Sequence, residues 1–343
     1  MSQIAPQIST TSFDARRALR TAIDIGARVL ALVLLFCLFG LLVGRPFFSA
    51  NNIENILRQS AVYTMAGLGM TMVIITGGID LAAGSVIALA MVVTALILKA
   101  GGTDAYTLQW TILAIVGGTA AAALIGLVQG TLITGLRLVP FIVTLGGLQS
   151  VRGLSKGVAG NGEISPPTNW LSEELMMPVQ SVKAFNWQLV PWGVWATLVA
   201  AIIAAGILRF TKLGRRIFAI GSNEATARLC GVPVARTKII VYVLSGLFAG
   251  LAGVLEFSTL NIGQPTGAQA YELYVIAACV IGGTSLRGGV GGVFGTVIGA
   301  LIIGTLNAGA QQAGWYKWVQ EVVIGLIIIA AVALDQLRMR RRA

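Results

Sequence analysis

Histidine is absent from this 343-residue chain. That removes the commonest metal ligand and the side chain best suited to general acid–base work near neutral pH. Chemistry within the chain is therefore not expected, and no cofactor is implied. Charge is scarce as well: 11% of residues are charged, against about 25% in a soluble domain. The three cysteines imply no disulfide framework, since Cys37 and Cys279 fall in apolar runs and Cys230 in a basic loop. No GxxxxGK(S/T) phosphate-binding loop occurs, which excludes binding and hydrolysing ATP by that device.

What the chain has in abundance is apolar sequence, 56% of its residues, with a mean hydropathy of +0.84. Apolar runs of about 20 residues cross a bilayer as helices. Such runs lie at 29–44, 57–76, 81–98, 110–129, 131–149, 189–208, 238–256, 271–283, 290–310 and 319–335. They predict an all-α polytopic membrane protein with about ten transmembrane helices. The run at 131–149 is interrupted by Arg137 and Pro140, and the run at 271–283 is short. Continuous runs, rather than alternation, exclude a transmembrane β-barrel. The arginine-led N-terminus resembles a secretory signal, but a polytopic chain needs no cleavage.

The net charge of +11 marks topology rather than a nucleic-acid partner. Arg16, Arg17, Arg20 and Arg28 lie before the first run, Arg338 and Arg340–Arg342 after the last, and seven basic residues in the loop 209–238. Basic segments stay in the cytoplasm. This predicts a cytoplasmic N-terminal segment (1–28), a membrane domain (29–335) and a basic cytoplasmic tail (336–343), with both termini inside. Within the domain, 209–238 faces the cytoplasm. The charge-balanced stretch 150–188 faces the periplasm and carries a short helix at 170–176, capped by Asn169 or Ser172.

Glycine numbers 43. The pairs Gly126/Gly130, Gly246/Gly250 and Gly295/Gly299 are spaced for close helix contact in lipid, here within one bundle. Val116-Gly117-Gly118 followed by Gly130-Thr131-Leu132 matches Val290-Gly291-Gly292 followed by Gly304-Thr305-Leu306, which predicts an inverted repeat. A second match relates Gly77-Gly78, Leu81 and Gly84 to Gly282-Gly283, Leu286 and Gly289. Repeats with interrupted spans are a transporter pattern.

Four features carry the candidate sites. In the loop 209–238, Ser222 or Asn223 caps a short helix, Glu224 sits in its first turn, and Glu224 and Arg228 form an i,i+4 pair. Gly231 and Pro233 stop it. Two turns are too short to stand alone in water, so this helix packs on its own protein or on a partner. Gly77-Gly78 and Gly282-Gly283 permit breaks at membrane depth, and Asp80 beside the first break serves as a pore or hinge residue or as a helix cap. Glu256, Gln264 and Glu272 lie around the outer connection after the seventh run. Asn307 and Gln129 lie within runs, where polar groups face the bundle interior and bond either to each other's helices or to a hydroxylated solute.

GGIDLAAGSV at 77–86, PFIVTLGGLQSVRGL at 140–154, AIGSNEATARLCGVPVARTKI at 219–239 and QPTGAQAYELYVIAACVIGGTSLRGG at 264–289 resemble the membrane permease subunit of bacterial ribose-type sugar ABC importers. The likeness covers nearly the whole chain after residue 29. It implies a permease of the inner membrane paired with a second copy or a paralogue, seated on separate ABC ATPase subunits and fed by a periplasmic sugar-binding protein. The family's coupling helix falls on Gly221, Asn223, Glu224, Ala225, Ala227, Arg228 and Gly231, with Glu224 and Arg228 facing the ATPase and Ala225 and Leu229 packing inward or into it. Sugar would pass between the copies. Glu256 and Thr259 depart from the apolar and basic residues common there. The sister branch, which moves branched-chain amino acids, is one alternative. A carrier driven by an ion gradient, with Asp80 as its acid, is another.

Overall fold

The computed structural model describes residues 10–177 and 190–340. Among them there is no strand, only an isolated antiparallel bridge between Ile164 and Gly263. The helices are α1 (Thr10–Val43), α2 (Ala50–Ile75), α3 (Ala83–Gly101), α4 (Leu108–Gly135), α5 (Pro140–Val158), α6 (Trp192–Phe210), α7 (Lys212–Ser222), α8 (Glu224–Leu229), α9 (Val234–Leu260), α10 (Tyr271–Ile281), α11 (Val293–Gln312) and α12 (Lys317–Arg340). Among the described residues, six helical stretches are long and apolar enough to cross a membrane: Ile25–Val43 of α1, Ala83–Tyr106, and α4, α6, α9 and α11.

Burial sorts these six into two rings. The apolar windows of α3, α9 and α11 are 72%, 67% and 78% buried, against 11%, 28% and 33% for α1, α4 and α6. The outer ring shows bare leucines and isoleucines, such as Leu41, Leu124 and Ile202, as a surface solvated by lipid requires. Gly126 and Gly130 of α4 lie against Tyr242 and Ile239 of α9, while Gly246 and Gly250 of α9 lie against Ala122 and Thr119 of α4. The two small-residue stripes thus face each other within one chain. Gly295 and Gly299 of α11 likewise meet Gly282 and Ala278 at the end of α10.

Several boundaries differ from the sequence expectation. The break expected near residue 130 falls at Leu136–Val139, where Arg137 adopts φ 54°. Pro140 opens α5 instead of interrupting a span, because its fixed φ and missing N–H suit the first helical position. The α5 helix also runs on to Val158, inside the stretch assigned to the outer loop. The start of α2 precedes the apolar run by two turns. Ser49 caps it by accepting from the Asn52 N–H at 3.3 Å, and its first turns are too polar to register in hydropathy. The short helix expected at 170–176 is one π-helical turn, Leu171–Leu175, tied by the Ser172 N–H donating to Asn169 Oδ1 at 3.0 Å. Residues 178–189 of the outer loop and the last three arginine-rich positions lie outside the described residues.

The largest departure concerns residues 261–270. They do not form an outer turn at the end of α9. Gly263 lies against Met91 and Ala95 in the middle of α3, while Ala268 and Glu272 lie against Gly84 at its start. The chain therefore doubles back along the first half of α3 by seven to eleven residues, about 10–16 Å at 1.5 Å each, as α10 begins. The 11 residues of α10 cover only about half of a hydrocarbon core of about 30 Å. Non-helical backbone at that depth must be satisfied by protein. Arg152 of α5 does this, donating from Nη1 to the carbonyls of Pro265 at 3.1 Å and Gly267 at 2.6 Å.

Candidate functional site

The loop 209–238 folds as two helices rather than one. Thr211 caps α7 by accepting from the Gly214 N–H at 3.2 Å, and Ile217 and Ile220 turn inward. The short α8 has both ends closed. Asn223 Oδ1 accepts from the Thr226 N–H at 2.9 Å. At the other end, Val232 N–H donates to Ala227 O at 3.0 Å and Gly231 N–H to Arg228 O at 3.1 Å. This is a Schellman stop, and it needs Gly231 at φ 77°. Ala227 packs inward with Ile220 and Val234. Ala225 is exposed, and Leu229 is 89% exposed.

Glu224 reaches two cations. It pairs with Arg228 at 3.1 Å and, across to α9, with Lys238 at 2.7 Å. The Lys238 hydrogen bond and, secondarily, Arg228 hold its carboxyl below the usual carboxylate range. Glu224 is thus in part a strut to its own protein, while Arg228 stays largely outward, with 65% of its side chain exposed.

At the joint behind α8, three backbones meet with almost no side chain between them. A Cβ on Gly221, at the end of α7, would overlap the Ile75 carbonyl and the Gly289 N–H. Gly289 N–H itself donates to Ile75 O at 2.9 Å. The end of α2, the loop after α10 and the end of α7 are locked together here. The two glycine motifs matched in sequence, 77–84 and 282–289, lie side by side at this end. Gly77 and Gly283 take φ 80° and 85°, and Arg28 of α1 lies against Gly283. Asp80 is buried beside Gly78. It accepts from the Ala82 N–H and from Ser245 Oγ, both at 3.0 Å, so it anchors the entry of α3 and ties it to α9.

The other expected site residues are spread out. Gln264 donates to Glu163 at 3.0 Å, Glu272 lies against Gly84, and Asn307 is at the opposite end of the bundle from the joint. There, a cavity of about 610 Å³ opens between the starts of α2, α10 and α12 and the ends of α9 and α11. Asn307 Nδ2 donates to Tyr63 OH at 3.0 Å, and Tyr271 OH donates to Glu256 Oε1 at 2.8 Å. Of this cavity, the sequence reading singled out Glu256, Thr259 and Asn307. It passed over Arg58, Tyr63 and Tyr271. The overlooked signal was Arg58 inside an apolar run, since an ionisable residue in a span is by default a functional candidate.

Residues 52–332 match the family described as branched-chain amino acid transport system, permease component. The chain belongs to this family. It is therefore a permease component and a multi-pass membrane protein, not itself an enzyme. It is 41% identical over 295 residues to the ribose import permease protein RbsC of Escherichia coli K12, covering 84% of this chain and 87% of that one. It is 39% identical to the ribose import permease of Bacillus subtilis strain 168, covering 84% and 86%. With the D-allose transport system permease AlsC of Escherichia coli K12 it shares 35% identity, over 89% and 90%. No solved structure matches.

Proposed function

We propose that this permease is the translocating subunit of an ATP-driven importer of a monosaccharide or polyol in the bacterial inner membrane. It pairs with a second copy or a paralogue, receives its solute from a periplasmic sugar-binding protein, and is driven by separate ATPase subunits docked on α8. Ten crossings fit the chain, with the basic α7–α8 end and both termini cytoplasmic. The expected inverted relation of α4 to α11 belongs to this reading.

The observation that carries it is α8 itself: a closed two-turn helix presenting an almost bare Leu229, joined through α7 to the breaks after α2 and α10. A push on α8 reaches Ile75 and Gly289 through backbone contact, without yielding side chains in between. Asp80 has its oxygens engaged by Ala82 and Ser245, which disfavours an ion-coupled carrier built on that residue. The path residues Gly77, Gly78, Asp80, Gly282 and Gly283 act in this reading as the hinge of the inward-facing gate.

The test is to purify the tagged complex from native membranes and weigh it intact by mass spectrometry. One ATPase subunit per permease is expected. A permease reproducibly free of any ATPase overturns the reading and returns Asp80 to the centre as a carrier acid. Glu224→Arg, which sets a third cation beside Arg228 and Lys238, is expected to cut transport-coupled ATP hydrolysis while leaving membrane insertion intact.

A further inference from the structure

The geometry points to a monosaccharide-binding vestibule enclosed by a single permease copy, the cavity between α2, α9, α10, α11 and α12. It rests on the sugar-importer reading and adds to it a site built without the second copy.

The chemistry of the lining decides what fits. Five side-chain amides line the cavity together with Arg58, Lys317 and Glu256. A hydrocarbon chain would leave these groups without partners, at a cost that excludes a lipid tail as the natural occupant. The contrast with the apolar cavity of about 260 Å³ beside Trp195 is direct, for that one is lined almost wholly by leucine, valine, alanine and threonine. Aromatic faces complete the vestibule. Tyr63, Tyr271 and Tyr274 form a ring cluster with centroids 5.2 to 5.9 Å apart, and Trp315 lines the wall beside it. A pyranose or furanose offers C–H faces for such rings and a rim of hydroxyls for amides and charged groups.

The polar groups are held in place and partly unspent. Tyr271 fixes one oxygen of Glu256, and Asn307 is fixed by Tyr63. Arg58 Nε is buried with no hydrogen-bond partner, although Arg58 lies within charge range of Glu54 and Glu256. Other atoms of the half-buried Arg58 line the cavity, and its remaining N–H groups are the donors a solute hydroxyl would meet. Glu256, Thr259 and Asn307 thereby acquire one shared role. The volume, about 610 Å³, lies within the range of small-molecule sites.

The test uses the full-length permease alone in lipid nanodiscs, without ATPase or binding protein. Saturation-transfer NMR is recorded with D-ribose, D-allose and L-arabinose, and with L-leucine as the contrast. Saturable transfer to the C–H protons of at least one sugar is expected, weakened at least tenfold in Asn307→Ala and in Glu256→Gln and unchanged in Leu229→Asp. Glu256→Gln and Tyr271→Phe keep the cavity's shape, so a misfolded Asn307→Ala leaves the test intact. No saturable sugar signal, or one undiminished in the folded cavity variants, overturns the vestibule; if the assembled importer still takes up that sugar, the importer reading survives it. Saturable binding of L-leucine in place of all three sugars overturns both.

Discussion

The two ends of this bundle are built from opposite materials. At the α7–α8 end, backbone rests on backbone: Gly221, Ile75 and Gly289 meet with no room for a methyl group. At the other end, large side chains stand off from one another around a polar space, with Tyr63, Tyr271, Glu256, Asn307 and Arg58 on its walls. A joint without side chains has little compliance and passes displacement on. A cavity walled by aromatics and amides exchanges partners and can hold a solute. The difference teaches that, in the proposed importer, drive and recognition would sit at opposite ends of the bundle, connected by α2 and α9, each of which runs from one end to the other.

The sharpest break of that contrast is a side chain placed in the joint. Overpacking typically costs about 1–3 kcal/mol, and backbone-on-backbone overlap is less forgiving. Gly221→Val is expected to abolish ATP-driven uptake and lower the thermal unfolding midpoint of the complex by several degrees. Gly206→Ala, with nothing within 4 Å, should do neither. Normal uptake in Gly221→Val would show that the joint yields. Next in size is Leu229→Asp on the bare face of α8. The permease should fold and unfold as before, while coupled ATP hydrolysis falls about tenfold, the loss expected when a charge enters an apolar docking contact. Wild-type coupling in that variant would move the docking surface elsewhere.

At the cavity end, Tyr271→Phe removes the donor to Glu256. A hydrogen bond to a charged group contributes about 1.5–3 kcal/mol, so a measurable drop in thermal stability is expected with no change in basal ATP hydrolysis by the complex. A change in coupling there would blur the separation of the two ends. The smallest effect is on α8 itself. Glu224 has its pKa depressed, so its ties to Lys238 and Arg228 are fully present above its unfolded pKa and weaken as pH falls through the lowered folded value. Because Glu224 is part-exposed, the contribution is about 0.2–1 kcal/mol. Hydrogen-exchange protection of the α8 amides should decline with acid in the wild type and stay flat in Glu224→Gln. Identical pH profiles would remove the strut.

Much of the α7–α8 end was legible in sequence, because its determinants are local. Asn223, Gly231 and Pro233 act within a few residues of the helix they bound, and the Glu224–Arg228 pair is an i,i+4 contact. The re-entrant stretch 261–270 was not legible, since what stabilises it is Arg152, more than a hundred residues away. Arg58 was hidden by its apolar neighbours, and α7 by the basic residues that also mark the loop.

By itself the sequence determined the membrane as solvent, the all-helical class, the absence of in-chain chemistry and the ends of α8, because composition and short-range spacing suffice for each. Only the tertiary structure decided which glycines carry backbone contact, that Asp80 is spent on Ala82 and Ser245, and that Tyr63, Glu256, Tyr271 and Asn307 share one cavity. Those residues lie on four helices, and nothing in their spacing along the chain encodes the helix crossings that bring them together.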